Sequence, residues 1–139
     1  MIESEIKVRV RYAETDKMGY VYYGNYATYF EVARVETFRN LGFSYKELED
    51  AGTMMPVLEY KTKYIKPAFY DDLLTIKSVV KKQPTARIVF EYEVYNEAQV
   101  LLTVGETTLV FVNVHTGRPC LLPESFEKIM NPYFDDKSQ

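Results

Sequence analysis

Histidine, cysteine and tryptophan are almost missing from this chain, which has one His, one Cys and no Trp among its 139 residues. A single cysteine excludes an intrachain disulfide framework, an iron–sulfur cluster and a thiolate-rich zinc site. A single histidine excludes metal motifs that need two histidines, and it leaves His115 as the only residue for imidazole-dependent catalysis. We therefore expect no metal site, and we expect no cofactor.

Strong net charge and long apolar segments are also lacking. The net charge is −3, whereas nucleic-acid-binding proteins usually present a strongly basic surface, so an anionic ligand would need a local basic patch. No apolar run approaches the roughly 20 residues of a membrane span. The first residues, MIESEIK, lack the basic start and apolar stretch of a signal peptide. These features predict no nucleic-acid partner, no membrane span and a cytosolic protein in which Cys120 is reduced.

Periodic patterns predict a strand and then a long helix in the first third of the chain. Apolar and basic residues alternate between residues 6 and 12, which is typical of a half-buried strand. From Asn25 to Leu41, apolar residues recur at helical spacing. Asn25 is the expected N-cap, because its side-chain oxygen can accept from a first-turn amide. Gly42 is expected to end the helix in the left-handed conformation.

The remaining pattern predicts a short helix and then mostly strands. The segment SYKELEDAG suggests a second helix, with Ser44 as its cap and Glu47 completing a capping box. A bulge or bend is expected at Gly105, a short helix from Pro123 to Met130, and a loose tail in NPYFDDKSQ. The strands are predicted near residues 58–64, 74–80, 88–94 and 100–114.

The order of the elements predicts the fold class. A strand, a long helix, a short helix and four consecutive strands indicate an α+β fold with an antiparallel sheet. The alternating pattern of a doubly wound fold is absent, and no repeat or linker divides the sequence. We therefore expect one domain across residues 1–139.

The segment before the long helix combines acids, glycine and aromatics. Unpaired amides and a partial positive charge lie at a helix N-terminus, where they can stabilise an oxyanion. An acid a few residues earlier could act on the same carbon as a nucleophile or a general base. Asp16 is the best placed acid, and Glu14 is its competitor. The alternative is that Asp16 only shapes the turn, as aspartate often does.

Residues 11–34, RYAETDKMGYVYYGNYATYFEVAR, resemble the signature of the 4-hydroxybenzoyl-CoA thioesterase family of the hotdog-fold superfamily. The segment YIKPAFYDDLLTI resembles a second family feature, and the resemblance covers about residues 5–130, the expected core. It implies a five-stranded antiparallel sheet wrapped around the long helix. It also implies a homodimer with active sites at the subunit interface, and tetramers of paired dimers are common in the family. The matching features are Thr15-Asp16, Gly19, Val21-Tyr22, Asn25-Tyr26, Phe30-Glu31 and Ala33-Arg34.

The resemblance also implies roles for individual residues. Asp16 falls on the family's catalytic aspartate, which is described as a nucleophile or as a general base. The backbone amides near Tyr23 and Gly24 fall where the thioester carbonyl is polarised, with Tyr22 and Asn25 as neighbouring substrate-binding positions. Many bacterial members carry histidine where this chain has Tyr23. Tyrosine is no base near neutral pH, because its ordinary pKa is about 10, but it can donate a hydrogen bond or line an acyl pocket.

Coenzyme A carries phosphates, so a basic patch is expected beside the site. Lys81, Lys82 and Arg87 flank a turn that corresponds to a nucleotide-binding hairpin of relatives, although the family's Arg-rich run is not reproduced. A solvated turn is the equal alternative. A second patch, at Lys61, Lys63 and Lys66, could equally be an exposed strand face.

Other conspicuous residues have simpler explanations. His115 is expected in a turn without a catalytic role, and Cys120 is expected to be a packed residue. Glu31 and Arg34 are spaced for a surface pair on the helix, and Glu36 is a weaker catalytic candidate than Asp16. Tyr22, Tyr23, Tyr26, Tyr29 and Met18 could line an acyl pocket.

The sequence therefore predicts an acyl-CoA thioesterase that releases a carboxylic acid and coenzyme A. A thioesterase for acyl-carrier-protein substrates is a close alternative, because both substrates share the phosphopantetheine arm. A hotdog dehydratase is less favoured, since that chemistry usually pairs histidine with an acid. A non-catalytic acyl-thioester-binding protein of the same fold is the alternative from another class, because fold does not determine function.

Overall fold

The computed structural model describes residues 1–134. Two short 3₁₀ turns lie at Tyr12–Glu14 and at Asn131–Tyr133. Within the described residues, none of the helices combines the length and apolar character needed to cross a bilayer. In chain order the main elements are β1 (Ile2–Arg9), α1 (Asn25–Leu41), α2 (Tyr45–Asp50), β2 (Thr53–Met54), β3 (Val57–Tyr64), β4 (Leu73–Val80), β5 (Arg87–Tyr95), β6 (Leu101–Val110), β7 (Val112–Asn113) and α3 (Glu124–Met130).

Five strands form one antiparallel sheet in the order β1-β4-β5-β6-β3. The register pairs Ile6 with Ile76 and Ile76 with Val94, so the apolar residues of neighbouring strands share one face. The strands β2 and β7 form a separate two-stranded sheet. The α+β class and the antiparallel five-stranded sheet are thus confirmed, with β1 and β3 as the two edges.

Helix α1 covers the apolar face of the sheet and has the bounds that its periodicity predicted. It lies over β1 and β4. The Phe30 ring has no solvent exposure and stacks on the Tyr92 ring of β5, with centroids 4.2 Å apart. About two turns later, Phe38 meets Phe90 of the same strand edge-on, at 5.8 Å. These contacts hold both the first half and the last turn of the helix against the sheet.

Gly105 lets Phe30 approach the sheet closely, and the bulge predicted at Gly105 is wrong, whereas the alternative of a bend stays a prediction. Gly105 pairs in regular register with Thr62 and with Tyr92, while the register shifts lie elsewhere, beside Val57 and Val94. A Cβ added to Gly105 would lie 2.8 Å from the Phe30 ring. The glycine is therefore explained by close packing and not by backbone conformation.

The predicted helix ends are partly confirmed. Gly42 ends α1 with φ at +102°, and the Ser44 hydroxyl accepts from the Glu47 amide at the start of α2. Asn25 is not the N-cap of α1, because Gly24 occupies that position without a side-chain hydrogen bond. The side-chain nitrogen Nδ2 of Asn25 instead donates to the backbone carbonyl oxygen of Glu14 at 2.7 Å, so this side chain links the preceding loop to the helix.

The end of the chain also differs in detail from the expectation. The predicted long strand near residues 100–114 is interrupted at buried Phe111, between β6 and β7. The predicted tail begins with the 3₁₀ turn Asn131–Tyr133, where the Tyr133 carbonyl accepts from the amino group of Met1. The remainder of that tail, residues 135–139, lies outside the described residues.

Candidate active site

A cleft of about 260 Å³ opens where the loop before α1 meets the segment after β3. Two of the predicted site residues, Asp16 and Tyr23, line it, whereas Tyr22, Gly24 and Asn25 do not. The lining residues are Asp16, Tyr20, Val21, Tyr23, Tyr26, Tyr64, Ile65, Lys66 and Pro67.

Backbone hydrogen bonds hold the loop that carries Asp16. The Asp16 amide donates to the Tyr20 carbonyl at 2.7 Å, which closes a tight turn. Gly19 has φ at +81°, a conformation that glycine adopts without strain. The Val21 amide donates to the Ala68 carbonyl at 2.8 Å. This bond joins the loop to the segment after β3, so both walls of the cleft are fixed relative to each other.

Asp16 has one carboxylate oxygen that is anchored and one that is available. Its Oδ1 accepts from the backbone amides of Met18 at 2.9 Å and Tyr20 at 3.1 Å. Its Oδ2 has no hydrogen-bond donor among residues 1–134, and no cation of that segment lies within 4.0 Å of the carboxylate. Asp16 therefore shapes the turn with one oxygen and leaves the other to accept a proton or attack a carbonyl carbon.

Two backbone amides at the start of α1 are also available. The amides of Asn25 and Tyr26 donate to the carbonyls of Tyr22 and Tyr23, at 2.9 and 3.3 Å. The preceding amides, of Tyr23 and Gly24, have no acceptor in the described part of the chain. They lie at the positive end of the helix dipole, where a developing negative charge on oxygen is stabilised.

The tyrosines around the cleft have different roles. Tyr26 and Tyr64 line it with their rings 5.3 Å apart, and burial raises the pKa of Tyr26 and brings that of Tyr64 to about 12. Neither phenol therefore ionises near neutral pH. Tyr22 lies outside the cleft, with its ring 4.7 Å from that of Tyr23 and over Gly24. Met18, expected to line an acyl pocket, is largely exposed outside the cleft.

Glu14, the competitor of Asp16, is fully engaged in a set of contacts that we call the Glu14 clamp, formed by Arg11, Glu14, Asn25 and Tyr29. Glu14 Oε1 accepts from the Arg11 amide at 2.8 Å and from the Tyr29 hydroxyl at 3.0 Å. Oε2 accepts from Arg11 Nη2 at 3.0 Å. Burial alone would raise the pKa of Glu14, but these hydrogen bonds hold it below its ordinary value. The clamp favours a positioning role for Glu14, and it also removes Tyr29 from the predicted acyl pocket.

The predicted coenzyme A hairpin lies far from the cleft within one protomer. Strand β4 begins four residues after Phe69, which pairs with the cleft residue Tyr20, and it ends at Val80, next to Lys81 and Lys82. Its eight residues span roughly 26 Å at about 3.3 Å per residue. Lys81 is moreover paired with Glu91, at 3.3 Å. Lys81, Lys82 and Arg87 are therefore not brought together with Asp16 inside one chain.

Lys66 lines the cleft, although the sequence analysis assigned it only to a basic patch that could equally be an exposed strand face. The structure separates the members of that patch. Lys61 is paired with Glu59 at 3.2 Å and Glu106 at 3.5 Å, whereas Lys66 lines the cleft. No local pattern identifies Lys66, because its proximity to Asp16 arises from the contact between two distant segments.

Helix α1 carries a buried cation that sequence reasoning placed on the surface. Arg34 is 6% exposed and donates to the hydroxyls of Tyr45 and Tyr92, at 3.3 and 3.1 Å. The Tyr92 hydroxyl is in turn 2.5 Å from the Thr107 hydroxyl. The predicted surface pair of Arg34 with Glu31 is therefore wrong, because the guanidinium points into the core.

The remaining candidates lie outside the cleft. Glu36 forms a surface ion pair with Arg39 on α1. His115 is exposed in the turn after β7, where its amide donates to Asn113 Oδ1. Cys120 is partly buried against the core. None of these three residues, Glu36, His115 or Cys120, lines the cleft.

An antiparallel five-stranded sheet with a long helix on one face, and with a cleft at the start of that helix, defines a protein of the hotdog class. The family model described as the Thioesterase-like superfamily matches residues 10–130. The chain belongs to this family, and the resemblance seen in the sequence is thereby confirmed.

Individual relatives cover nearly the whole chain. The putative acyl-CoA thioesterase YneP of Bacillus subtilis is 33% identical over 126 residues, which are 91% of this chain and 85% of that protein. The acyl-CoA thioester hydrolase YbgC of Escherichia coli is 32% identical over 118 residues, 85% of this chain and 88% of that protein. The solved structure of a DHNA-CoA thioesterase from Staphylococcus aureus is 41% identical, with a TM-score of 0.89 over 96% of this chain and 90% of that chain.

Proposed function

We propose that the protein hydrolyses acyl-CoA thioesters to a carboxylic acid and coenzyme A. The carrying observation is the Asp16 carboxylate, held through Oδ1 by two amides while Oδ2 has no donor among residues 1–134. The amides of Tyr23 and Gly24, without an acceptor in the same segment, supply the second element that the reaction needs. The names of the relatives YneP and YbgC support the same activity.

In the proposed reaction, the thioester carbonyl oxygen accepts from the Tyr23 and Gly24 amides, which polarises the carbonyl carbon. Asp16 then acts in one of two ways. As a general base, it takes a proton from a water molecule whose oxygen adds to the carbon. As a nucleophile, it attacks the carbon itself and forms a mixed anhydride that water later hydrolyses. In both cases the C–S bond breaks and the thiolate leaves. It takes up the proton that Asp16 removed from water in the first route, and a proton released by the water that hydrolyses the anhydride in the second.

We propose a homodimer, or a tetramer of paired dimers, as the working assembly. Along β1, the exposed residues of the edge are charged ones such as Glu3, Glu5 and Lys7. Along β3, the exposed residues include several apolar side chains, and an unpaired apolar edge favours association with another strand. Because β3 runs directly into the cleft wall, a second copy on this edge would complete the cleft. The exposed apolar residues of this edge are Val57, Leu58, Tyr60, Tyr64 and Ile65.

Sedimentation tests the assembly. The wild-type chain of 16.3 kDa is expected to sediment as two or four copies, and Leu58→Asp is expected to shift it toward one copy. Leu121→Asp is the matched control, because Leu121 is also exposed but belongs to the segment between β7 and α3. A wild-type monomer, or equal effects of the two changes, would contradict the proposed edge.

Thiol release tests the activity. Wild-type protein is incubated with a panel of acyl-CoAs and with acyl-carrier-protein thioesters of the same acyl groups. Asp16→Asn is expected to abolish turnover, because the amide is neither a base nor a nucleophile, while Glu36→Gln keeps it. The proposal is contradicted if no thioester is cleaved above background, or if Asp16→Asn keeps full turnover. Binding without cleavage would instead indicate a non-catalytic acyl-thioester-binding protein, and a preference for acyl-carrier-protein thioesters would indicate that these are the substrates.

A cytosolic location stays a prediction of the sequence.

A further inference from the structure

Basic side chains near the cleft differ in whether an acid neutralises them. Among the described residues, Arg11 is paired with Glu14, at 3.0 Å, and Arg9 lies 3.9 Å from Glu97. Lys66, by contrast, lines the cleft and has no carboxylate within 4.0 Å in residues 1–134. It is therefore the cation of the cleft wall that is available to an anionic ligand.

The backbone under Lys66 is fixed. The amides of Ile65 and Lys66 both donate to the Leu102 carbonyl, at 2.8 and 3.0 Å. Pro67 follows, and its ring restricts the backbone directly after the lysine. The ammonium group is thus presented from a rigid base at the cleft, although the side chain itself is long and exposed.

The lining of the cleft determines which part of a coenzyme A thioester it suits. Seven of its nine lining residues are aromatic or apolar, and Asp16 and Lys66 are the charged ones. Such a surface suits an acyl group with its thioester, whereas it offers the charged phosphates little to replace their contacts with water. The phosphates must therefore lie at or outside the rim, and Lys66 is a cation that they meet there.

We propose that Lys66 binds a phosphate group of the coenzyme A moiety and so sets the affinity for the substrate. The inference rests on the proposed thioesterase function and deepens it, because it places the anionic end of the substrate on the same side of the molecule as Asp16.

Three substrates with one acyl group separate the parts of the molecule: acyl-CoA, acyl-4′-phosphopantetheine and acyl-pantetheine. In Lys66→Gln, KM for acyl-CoA is expected to rise about 1.5- to fivefold at low salt, the range for an exposed ion pair, with kcat unchanged. Lys66→Arg retains the positive charge and should keep the wild-type KM. Lys7→Gln, which removes a charge from the exposed edge strand β1, is the matched control and should have no effect.

The outcomes are distinct. An increase for acyl-CoA alone supports a contact with the nucleotide phosphates, and an increase for acyl-4′-phosphopantetheine as well supports a contact with the pantetheine phosphate. An equal increase for acyl-pantetheine, which has no phosphate, or no increase at all, overturns the proposal. Calorimetric binding of coenzyme A itself to wild type and Lys66→Gln gives the same comparison without turnover. A protein that binds coenzyme A through Lys66 and cleaves nothing would contradict the hydrolase function alone.

Discussion

Replacing Glu14 by glutamine weakens the clamp that ties the loop before α1 to the helix. The change keeps the size of the side chain and one acceptor oxygen, so the Tyr29 hydroxyl can still donate. It removes the negative charge, and it places an NH₂ group against the Arg11 guanidinium, which also only donates. The perturbation is therefore confined to the charge-assisted part of the clamp.

The expected loss can be estimated from the contacts. The Glu14 side chain is 13% exposed, whereas that of Arg11 is 79% exposed. An exposed ion pair contributes about 0.2–1 kcal/mol, and a hydrogen bond to a charged group contributes about 1.5–3 kcal/mol. With one side chain buried and the other solvated, we expect Glu14→Gln to lower the free energy of unfolding by about 1–2 kcal/mol.

The pH dependence has a definite sign. The folded-state pKa of Glu14 lies below its ordinary value of 4.5, so the clamp stabilises the fold fully above the unfolded-state pKa. Its contribution is lost as the pH falls through the folded-state value. The stability difference between wild type and Glu14→Gln is therefore expected to be largest near neutral pH and to shrink below about pH 4.5.

Urea unfolding at a series of pH values measures the global effect, and tryptic cleavage after exposed Lys17 reports opening of the loop. Glu36→Gln is the matched control, because Glu36 pairs with Arg39 on the surface of α1 and should cost less than about 0.5 kcal/mol. If Glu14→Gln unfolds like the control and the loop is cleaved no faster, the clamp does not hold the loop that carries Asp16.

Three further changes test single contacts. Gly105→Ala is expected to lose about 1–3 kcal/mol of stability by overpacking, because its Cβ would lie 2.8 Å from the Phe30 ring. Urea unfolding measures this loss, and adding Phe30→Leu should recover part of the lost stability. Asn25→Ala is expected to lose about 1 kcal/mol and to speed loop cleavage, since it removes the bond to the Glu14 carbonyl; unchanged cleavage would contradict that link. Tyr23→Phe keeps the backbone amide, so kcat should stay within about threefold of wild type (~0.6 kcal/mol), and a loss of two orders of magnitude would assign a role to the phenol.

The elements of the fold could be predicted because their signals are local. Helix α1 has the predicted bounds since its apolar period and the left-handed Gly42 both lie within its own sequence. The strands follow from alternation in the same way. Gly105 was misinterpreted for the opposite reason: what demands a glycine there is the ring of Phe30, which is far away in sequence.

The site could be predicted only in part, for a related physical reason. Asp16 and Tyr23 belong to one short segment that leads into a helix, so sequence spacing places them near its N-terminus. Lys66 joins them through contacts between distant segments, such as the bond from the Val21 amide to the Ala68 carbonyl. The burial of Arg34 is equally impossible to predict from its local sequence, since its guanidinium donates to hydroxyl groups contributed by two other elements.

The single histidine limits this site less than the composition suggests. A thiolate leaves without a general acid, so thioester hydrolysis needs a polarised carbonyl and one activated oxygen. In the proposed reaction, the amides at the start of α1 supply the first and Asp16 Oδ2 supplies the second, without relying on any ring nitrogen. The neighbouring phenols of Tyr26 and Tyr64, whose pKa values burial raises, stay protonated and so add no negative charge beside the developing oxyanion. The absence of an imidazole at Tyr23 is therefore compatible with the proposed reaction, in which two backbone amides orient the Asp16 carboxylate.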